Sequence, residues 1–126
     1  MKLCSLIHDY TTLTIEGTPA IYHAWHNNEG RRVASFIIWT QWDGINLSDL
    51  EVEKPFRNLG LSSQLLDYAI KELGVRCLTA EKDNLIANHV YKKYGFKIVA
   101  EDEKHFYYIW EANASPKILL YKNFMI

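Results

Sequence analysis

Lys54-Pro55-Phe56-Arg57-Asn58-Leu59-Gly60-Leu61-Ser62-Ser63 joins two segments of different period. Before it, Ile45 to Val52 alternates apolar and polar residues, as a half-buried strand does. After it, Leu61, Leu65, Leu66, Ala69, Ile70 and Leu73 recur at helical spacing and Gly74 stops the run. The junction therefore opens a helix, and a helix N-terminus carries unpaired N–H groups and about half a positive charge. Gly60 lets a ligand approach the backbone closely. Asn58 tolerates left-handed conformations. Arg57 suits bidentate pairing with phosphate, and Ser62 and Ser63 add hydroxyl donors. These groups together are what an anion requires. A Walker loop is excluded because no Gly-Lys-Ser/Thr follows, and one glycine does not make a dinucleotide fingerprint.

Outward from the junction, the N-terminal half reads as antiparallel strands over residues 3–16, 20–26, 32–42 and 45–53. Glu16-Gly17-Thr18-Pro19 and Asn27-Asn28-Glu29-Gly30 read as turns, and Asp43-Gly44 as a hairpin signal. On the C-terminal side, Val75 to Ala80 reads as a short buried strand, so strand–helix–strand implies a parallel pair with a right-handed crossover. Asn84 opens a second helix with Ala87, Val90, Tyr91 and Tyr94 on its buried face, and Gly95 closes it. Residues 96–101 and 105–111 read as strands, with a further strand predicted between Pro116 and Phe124. The order is β-β-β-β-α-β-α-β-β, an α+β domain with a mixed sheet.

The 126 residues suit one domain spanning 1–126. Hydrophobic content of 48% and charged content of 23% place the chain among soluble globular proteins. A net charge of −1 and the lack of a basic stripe exclude nucleic acid and acidic membranes as expected partners. The longest apolar run, Phe36 to Trp39, is far short of a membrane span, and MKLCSLIHDY does not read as a signal peptide. Two cysteines, Cys4 and Cys77, make no disulfide framework, so a cytoplasmic location is expected. His23 and His26, three apart on a strand, face opposite ways and cannot share a metal, so no metal is expected. Trp25, Trp39, Trp42 and Trp110 read as core or sheet-face aromatics, with one or two available to line a pocket.

Two patterns carry a resemblance. Leu50-Glu51-Val52 followed by Arg57-Asn58-Leu59-Gly60-Leu61-Ser62 follows a strand ending in Leu-x-Val and an (R/Q)-x-x-G-x-(G/A) loop. Asn84-Leu85-Ile86-Ala87-Asn88-His89-Val90-Tyr91-Lys92-Lys93-Tyr94-Gly95-Phe96 follows N-x-x-A-x-x-x-Y-x-K-x-G-F. In that order and context the chain resembles the GNAT acetyltransferase superfamily, firmly over residues 50–96 and more broadly over 32–111. Asn58 and Ser62 replace the usual small residues. The two helices that the family usually places after its first strand are missing.

The resemblance implies acetyl-CoA as co-substrate and a primary amine on a small molecule, peptide or protein as acceptor, acetylated by direct attack. It implies that Arg57, Asn58, Leu59, Gly60, Leu61, Ser62 and Ser63 hold the pyrophosphate. Backbone groups of Leu50 and Val52 pair with the pantetheine arm. The strand ending at Val52 splays from the next one to make a cleft. Asn84 contacts pantetheine, and Tyr91 is the general acid. Glu51 is the base expected here, with Asp49, read as sharing its strand face, and Glu81 as further carboxylates. A monomer or homodimer suits this reading. Two other readings stand beside it: a non-catalytic acyl-CoA-binding or interaction module on the same fold, and an unrelated α+β domain whose junction binds another phosphate ligand.

Overall fold

The computed structural model describes residues 1–41 and 44–110. Its first strand, β1 (Ile7–Ile15), returns through Glu16 and Gly17 into β2 (Thr18–His26). Both turn residues have positive φ, 47° and 81°, as a two-residue hairpin of the primed type requires. The turn is thus shorter than the four residues predicted, and Thr18 and Pro19 already pair with Ile15 and Thr14. Pro19 sits one place before the ladder to the next strand begins at Ala20, where a missing N–H is tolerated. This hairpin occupies the position at which the two helices of the resembled family would be inserted.

The predicted strand also began too early. Leu3–Ser5 forms a single 3-10 turn, because the Gln64 amide ties this segment to a helix instead of the sheet. Gln64 Oε1 accepts from the Leu3 N–H at 2.7 Å and Nε2 donates to the Met1 carbonyl at 2.9 Å.

The remaining elements follow in the expected order: β3 (Arg32–Gln41), β4 (Gly44–Val52), α1 (Leu61–Lys71), β5 (Cys77–Glu81), α2 (Leu85–Tyr94), β6 (Phe96–Glu101) and β7 (His105–Trp110). They form one seven-stranded sheet in the order β1-β2-β3-β4-β5-β7-β6. Among the described residues only the β4–β5 pair is parallel. The strand predicted between Pro116 and Phe124, and Trp42, lie outside the described residues.

Both helices lie on one face. Tyr68 of α1 meets Trp25 edge-on at 5.6 Å, and Tyr91 of α2 meets Tyr108 at 5.6 Å. Registers carry that face across the sheet, from Tyr108 to Leu78, Leu47, Ile38 and Ile21. Leu47, Leu65, Leu66 and Leu78 are fully buried beneath the helices. Each such side chain contributes roughly 1.5–3 kcal/mol by leaving water. On the opposite face, which carries Ile37, Trp39, Thr79 and Tyr107, no helix packs among the described residues.

The histidines make a pairing that spacing did not foretell. His8 Nε2 and His23 Nδ1 are 2.9 Å apart, and the His8 ring stacks on Trp25 at 4.3 Å. Burial, then the His8 charge, lowers the His23 pKa to about 4. His26 lies instead near Asp9, at 3.6 Å. Among the described residues no group of three or more His, Cys, Asp or Glu side chains is arranged to hold a metal ion. No helix there is long and apolar enough to cross a membrane.

Candidate active site

The strands β4 and β5 pair at only two positions, Asn46–Cys77 and Leu47–Leu78, and then part. Asn46 and Thr79 side chains share a hydrogen bond at 3.1 Å near the point of parting. Beyond it opens a cleft of about 1350 Å³, lined from both sheet faces and by the starts of α1 and α2. The expected splay is therefore present.

A bulge in β4 shapes one wall. Ser48 pairs with Ile37 and Glu51 with Ser35, so Asp49 and Leu50 together oppose Phe36. Asp49 has φ 55°. A bulge of this kind inserts one unpaired residue and bends the strand. It also shifts the alternation, so that Leu47, Leu50 and Val52 all pack toward the core. Asp49 and Glu51 both line the cleft, but the strict alternation that put them on one strand face is broken between them. Glu51 is exposed and stands beside Glu53, whose carboxylate takes two hydrogen bonds from Arg32, at 2.9 and 2.7 Å. Arg32, first through that hydrogen bond, holds the Glu53 pKa below its usual value.

The junction forms the mouth of the cleft. Asn58 has φ 64° and Gly60 φ 78°, so the two residues singled out for left-handed backbone both adopt it. A Cβ built on Gly60 meets nothing within 4 Å, which leaves the space above the loop open. Gly60 is the N-cap of α1 and offers no side-chain cap. The first N–H groups of α1, at Leu61, Ser62 and Ser63, are therefore uncapped by any side chain. Leu59 is exposed beside them. Arg57 does not simply project outward: its Nε donates to the Val52 carbonyl at 2.8 Å. That bond uses one lone pair of the Val52 carbonyl and leaves both terminal guanidinium nitrogens without a hydrogen bond among the described residues.

The second helix supplies the far wall. Asn84 Oδ1 accepts from the Ala87 N–H at 3.1 Å, so this residue is an N-cap, and its amide nitrogen remains for other use. Beneath it, Asn88 Nδ2 donates to the Glu81 and Asn84 carbonyls, and its Oδ1 accepts from the Tyr108 hydroxyl at 2.6 Å. Tyr91 is only 1% exposed, lines the cleft, and has no hydrogen-bond partner for its hydroxyl among the described residues. Burial, then the charges of Asp49 and Tyr108, push its pKa well above the ordinary phenol range. The proton therefore stays on Tyr91 at neutral pH.

A family comparison settles what frame this is. The family model described as an acetyltransferase (GNAT) domain matches residues 19–98. The chain belongs to the GNAT acetyltransferase family. Among solved structures, nourseothricin acetyltransferase is similar at TM-score 0.60 and 15% identity, over 82% of each chain. The PaiA N-acetyltransferase of Thermoplasma acidophilum, solved in complex with coenzyme A, is similar at TM-score 0.57 and 16% identity over 71% of this chain. The Campylobacter jejuni N-acetyltransferase PseH, solved with acetyl coenzyme A, gives 0.53 and 20% over 71%. At such identities the likeness is one of fold. This chain spans 58% of the PaiA chain and 65% of the PseH chain. A search of curated protein sequences returned no match.

Against this GNAT frame, the sequence reading had Trp39 as a core or sheet-face aromatic available to line a pocket, and did not single out Thr79 or His105. Trp39 lines the cleft on the uncovered face and donates from Nε1 to Ser48 Oγ at 3.1 Å. Thr79 and His105 line it from β5 and β7. His105 stands in the pattern Asp102-Glu103-Lys104-His105, a turn signal that could have drawn attention to it.

Proposed function

We propose that this GNAT protein is an N-acetyltransferase that moves the acetyl group of acetyl-CoA to a primary amine by direct attack. The observation that carries the reading is the buried Tyr91 hydroxyl, without a hydrogen-bond partner among the described residues, in the cleft where β4 and β5 part. A buried donor without a partner costs about 1–3 kcal/mol. A ligand that completes it accounts for that cost being retained.

In this reading the pyrophosphate rests on the N–H groups of Asn58 to Ser63, with Arg57 adding its terminal nitrogens. Leu59 contributes backbone only. The pantetheine arm runs along the free edge of β4 at Leu50 and Val52, in the manner of an added strand, and meets the Asn84 amide nitrogen. The acetyl carbonyl lies at the bulge. Its developing oxyanion is stabilised by backbone N–H groups that the bulge removes from the ladder. The neutral amine attacks, the C–S bond breaks, Tyr91 gives its proton to the departing thiolate, and the proton that the nitrogen loses as it becomes an amide passes through solvent to restore the Tyr91 phenol. Glu51, the base expected from the sequence, lines the cleft with Asp49 and Glu81, and the ammonium proton leaves to a base in that cleft. A cytoplasmic location and a monomeric or homodimeric state belong to the same proposal.

Release of free thiol from acetyl-CoA tests it, with phenethylamine, putrescine, spermidine and a lysine-ended tetrapeptide as acceptors. An acetylated amine supports transfer. Binding of acetyl-CoA with no acetylated product would instead support the non-catalytic module.

A further inference from the structure

The cleft contains a second oriented acid–base group, outside the two motifs that define the family match. His105 opens β7 and lines the cleft. Its Nδ1 lies 3.2 Å from Asp102 Oδ1. Asp102 is itself fixed: Oδ1 accepts from the Lys104 and His105 N–H groups at 2.8 and 2.7 Å, and Oδ2 accepts from the Tyr107 hydroxyl at 2.6 Å. Tyr107 first, then those backbone groups, holds this carboxyl well below the usual carboxylate range. An ionised carboxylate only accepts. The hydrogen in the pair must then sit on His105 Nδ1, which leaves the Nε2 lone pair for a proton from elsewhere.

Register places this imidazole at the level of the chemistry. Three residues beyond the last β4–β5 pair, Leu47–Leu78, stand Leu50 on β4 and Glu81 on β5. Glu81 pairs directly with His105. The bulge that would face the acetyl carbonyl and the imidazole thus stand at one height on opposite walls. Asp49, Glu51 and Glu81 line the same cleft and favour an acceptor that arrives as an ammonium ion. Such an acceptor needs a base before it can attack. Glu51 stands exposed beside Glu53, whereas His105 is held by Asp102.

We propose that His105 is the general base of the transferase, with Asp102 as its positioning residue. The inference rests on the acetyltransfer reading above. One N–H bond of the acceptor ammonium breaks and its proton passes to His105 Nε2. The nitrogen keeps the electron pair and attacks the carbonyl carbon, the C–S bond breaks as the nitrogen loses its second proton to solvent, and the imidazolium later returns its own proton to solvent. The titratable groups around the ring are Glu81 of β5 and Lys82 after it, Glu101 and Asp102 at the end of β6, Lys104, and Tyr107 of β7.

The test measures kcat against pH for wild type, His105→Gln, Asp102→Asn and Glu51→Gln with the four amines named above, beside acetyl-CoA binding by thermal melt. A positioned base is worth about 10²–10⁴ in rate. His105→Gln is expected to lower kcat by that factor and to remove the fall in rate toward acid, with acetyl-CoA binding unchanged. Asp102→Asn, which permits the other tautomer, lowers kcat while the KM for acetyl-CoA holds. Imidazole ¹⁵N spectra should show Nε2 as the unprotonated nitrogen of His105. Wild-type rate and pH profile in His105→Gln, or loss of the acid limb in Glu51→Gln alone, would overturn the assignment. Acetyl-CoA binding without turnover of any amine would also overturn it, while leaving the cofactor site intact. Absence of acetyl-CoA binding would remove the acetyltransfer reading itself.

Discussion

Arg57 reaches back five residues and closes the loop on its own strand, Nε to the Val52 carbonyl at 2.8 Å. This bond ties the loop proposed to hold the phosphates to the end of β4, the strand along which a pantetheine would run. Arg57→Lys keeps a positive charge but cannot hold the carbonyl and a phosphate together through one planar group. Hydrogen bonds to charged groups contribute about 1.5–3 kcal/mol. Titration calorimetry should therefore show acetyl-CoA affinity reduced about 10- to 100-fold in Arg57→Lys, and at least as much in Arg57→Ala.

Tyr91→Phe separates chemistry from structure. The hydroxyl is buried and has no hydrogen-bond partner among the described residues, so its removal should leave the melting temperature unchanged or raise it. With acetyl-CoA and an amine, kcat should fall at least tenfold while acetyl-CoA affinity changes little. A drop in stability comparable to losing a core contact would show that the hydroxyl has a structural partner and is not held for the thiolate.

Two replacements divide the roles of Asn84. Asn84→Ala deletes the cap and should destabilise the protein by about 0.5–2 kcal/mol. Asn84→Asp keeps an oxygen for the Ala87 N–H but has no amide nitrogen to donate. It should retain the wild-type melting temperature and bind acetyl-CoA more weakly. Equal affinity in Asn84→Asp would confine the residue to capping.

The fold was legible where local chemistry and tertiary structure agree. Gly74, Gly95, Asn84 and the Leu61–Ile70 spacing mark helix ends and faces that a single sequence displays. Asn58 and Gly60 declared their left-handed backbone in the same way. The β4 bulge was not legible, because Asp49 has no bias that separates a bulge from a regular strand position. The carboxylate pair inferred from strand alternation depended on a regularity that the bulge removes. His105 escaped notice because its cleft position depends on β7 lying between β5 and β6, an order set by the whole sheet. The His8–His23 contact depends likewise on the β1–β2 register, which the two-residue turn at Glu16 and Gly17 fixes.

That histidine pair predicts a pH dependence. His23 has a pKa of about 4 in the folded protein and near 6.5 when unfolded. Between these values the unfolded chain binds more protons, so stability rises with pH through that window and is lost as pH falls through it. At about 1.4 kcal/mol per unit the loss approaches roughly 3 kcal/mol by pH 4. His23→Phe, which fills the same ring contacts with Trp25 and Phe36, should flatten the melting temperature between pH 6.5 and 4. An unchanged slope would assign the dependence to other groups.

The account turns on whether acetyl-CoA sits on the loop from Arg57 to Ser63. Ser63 is exposed in the first turn of α1, so Ser63→Glu places a negative charge where the helix favours one and where a pyrophosphate would be repelled. The deciding measurement is a thermal melt of wild type and Ser63→Glu, each with and without acetyl-CoA at saturation. At about 100 times Kd a ligand adds about 2.7 kcal/mol, a shift of several degrees or more for a domain of this size. The wild type should show that shift, and Ser63→Glu should melt as high as the free wild type without responding to the ligand. An undiminished shift in Ser63→Glu, or none in a folded wild type, would contradict the proposed site.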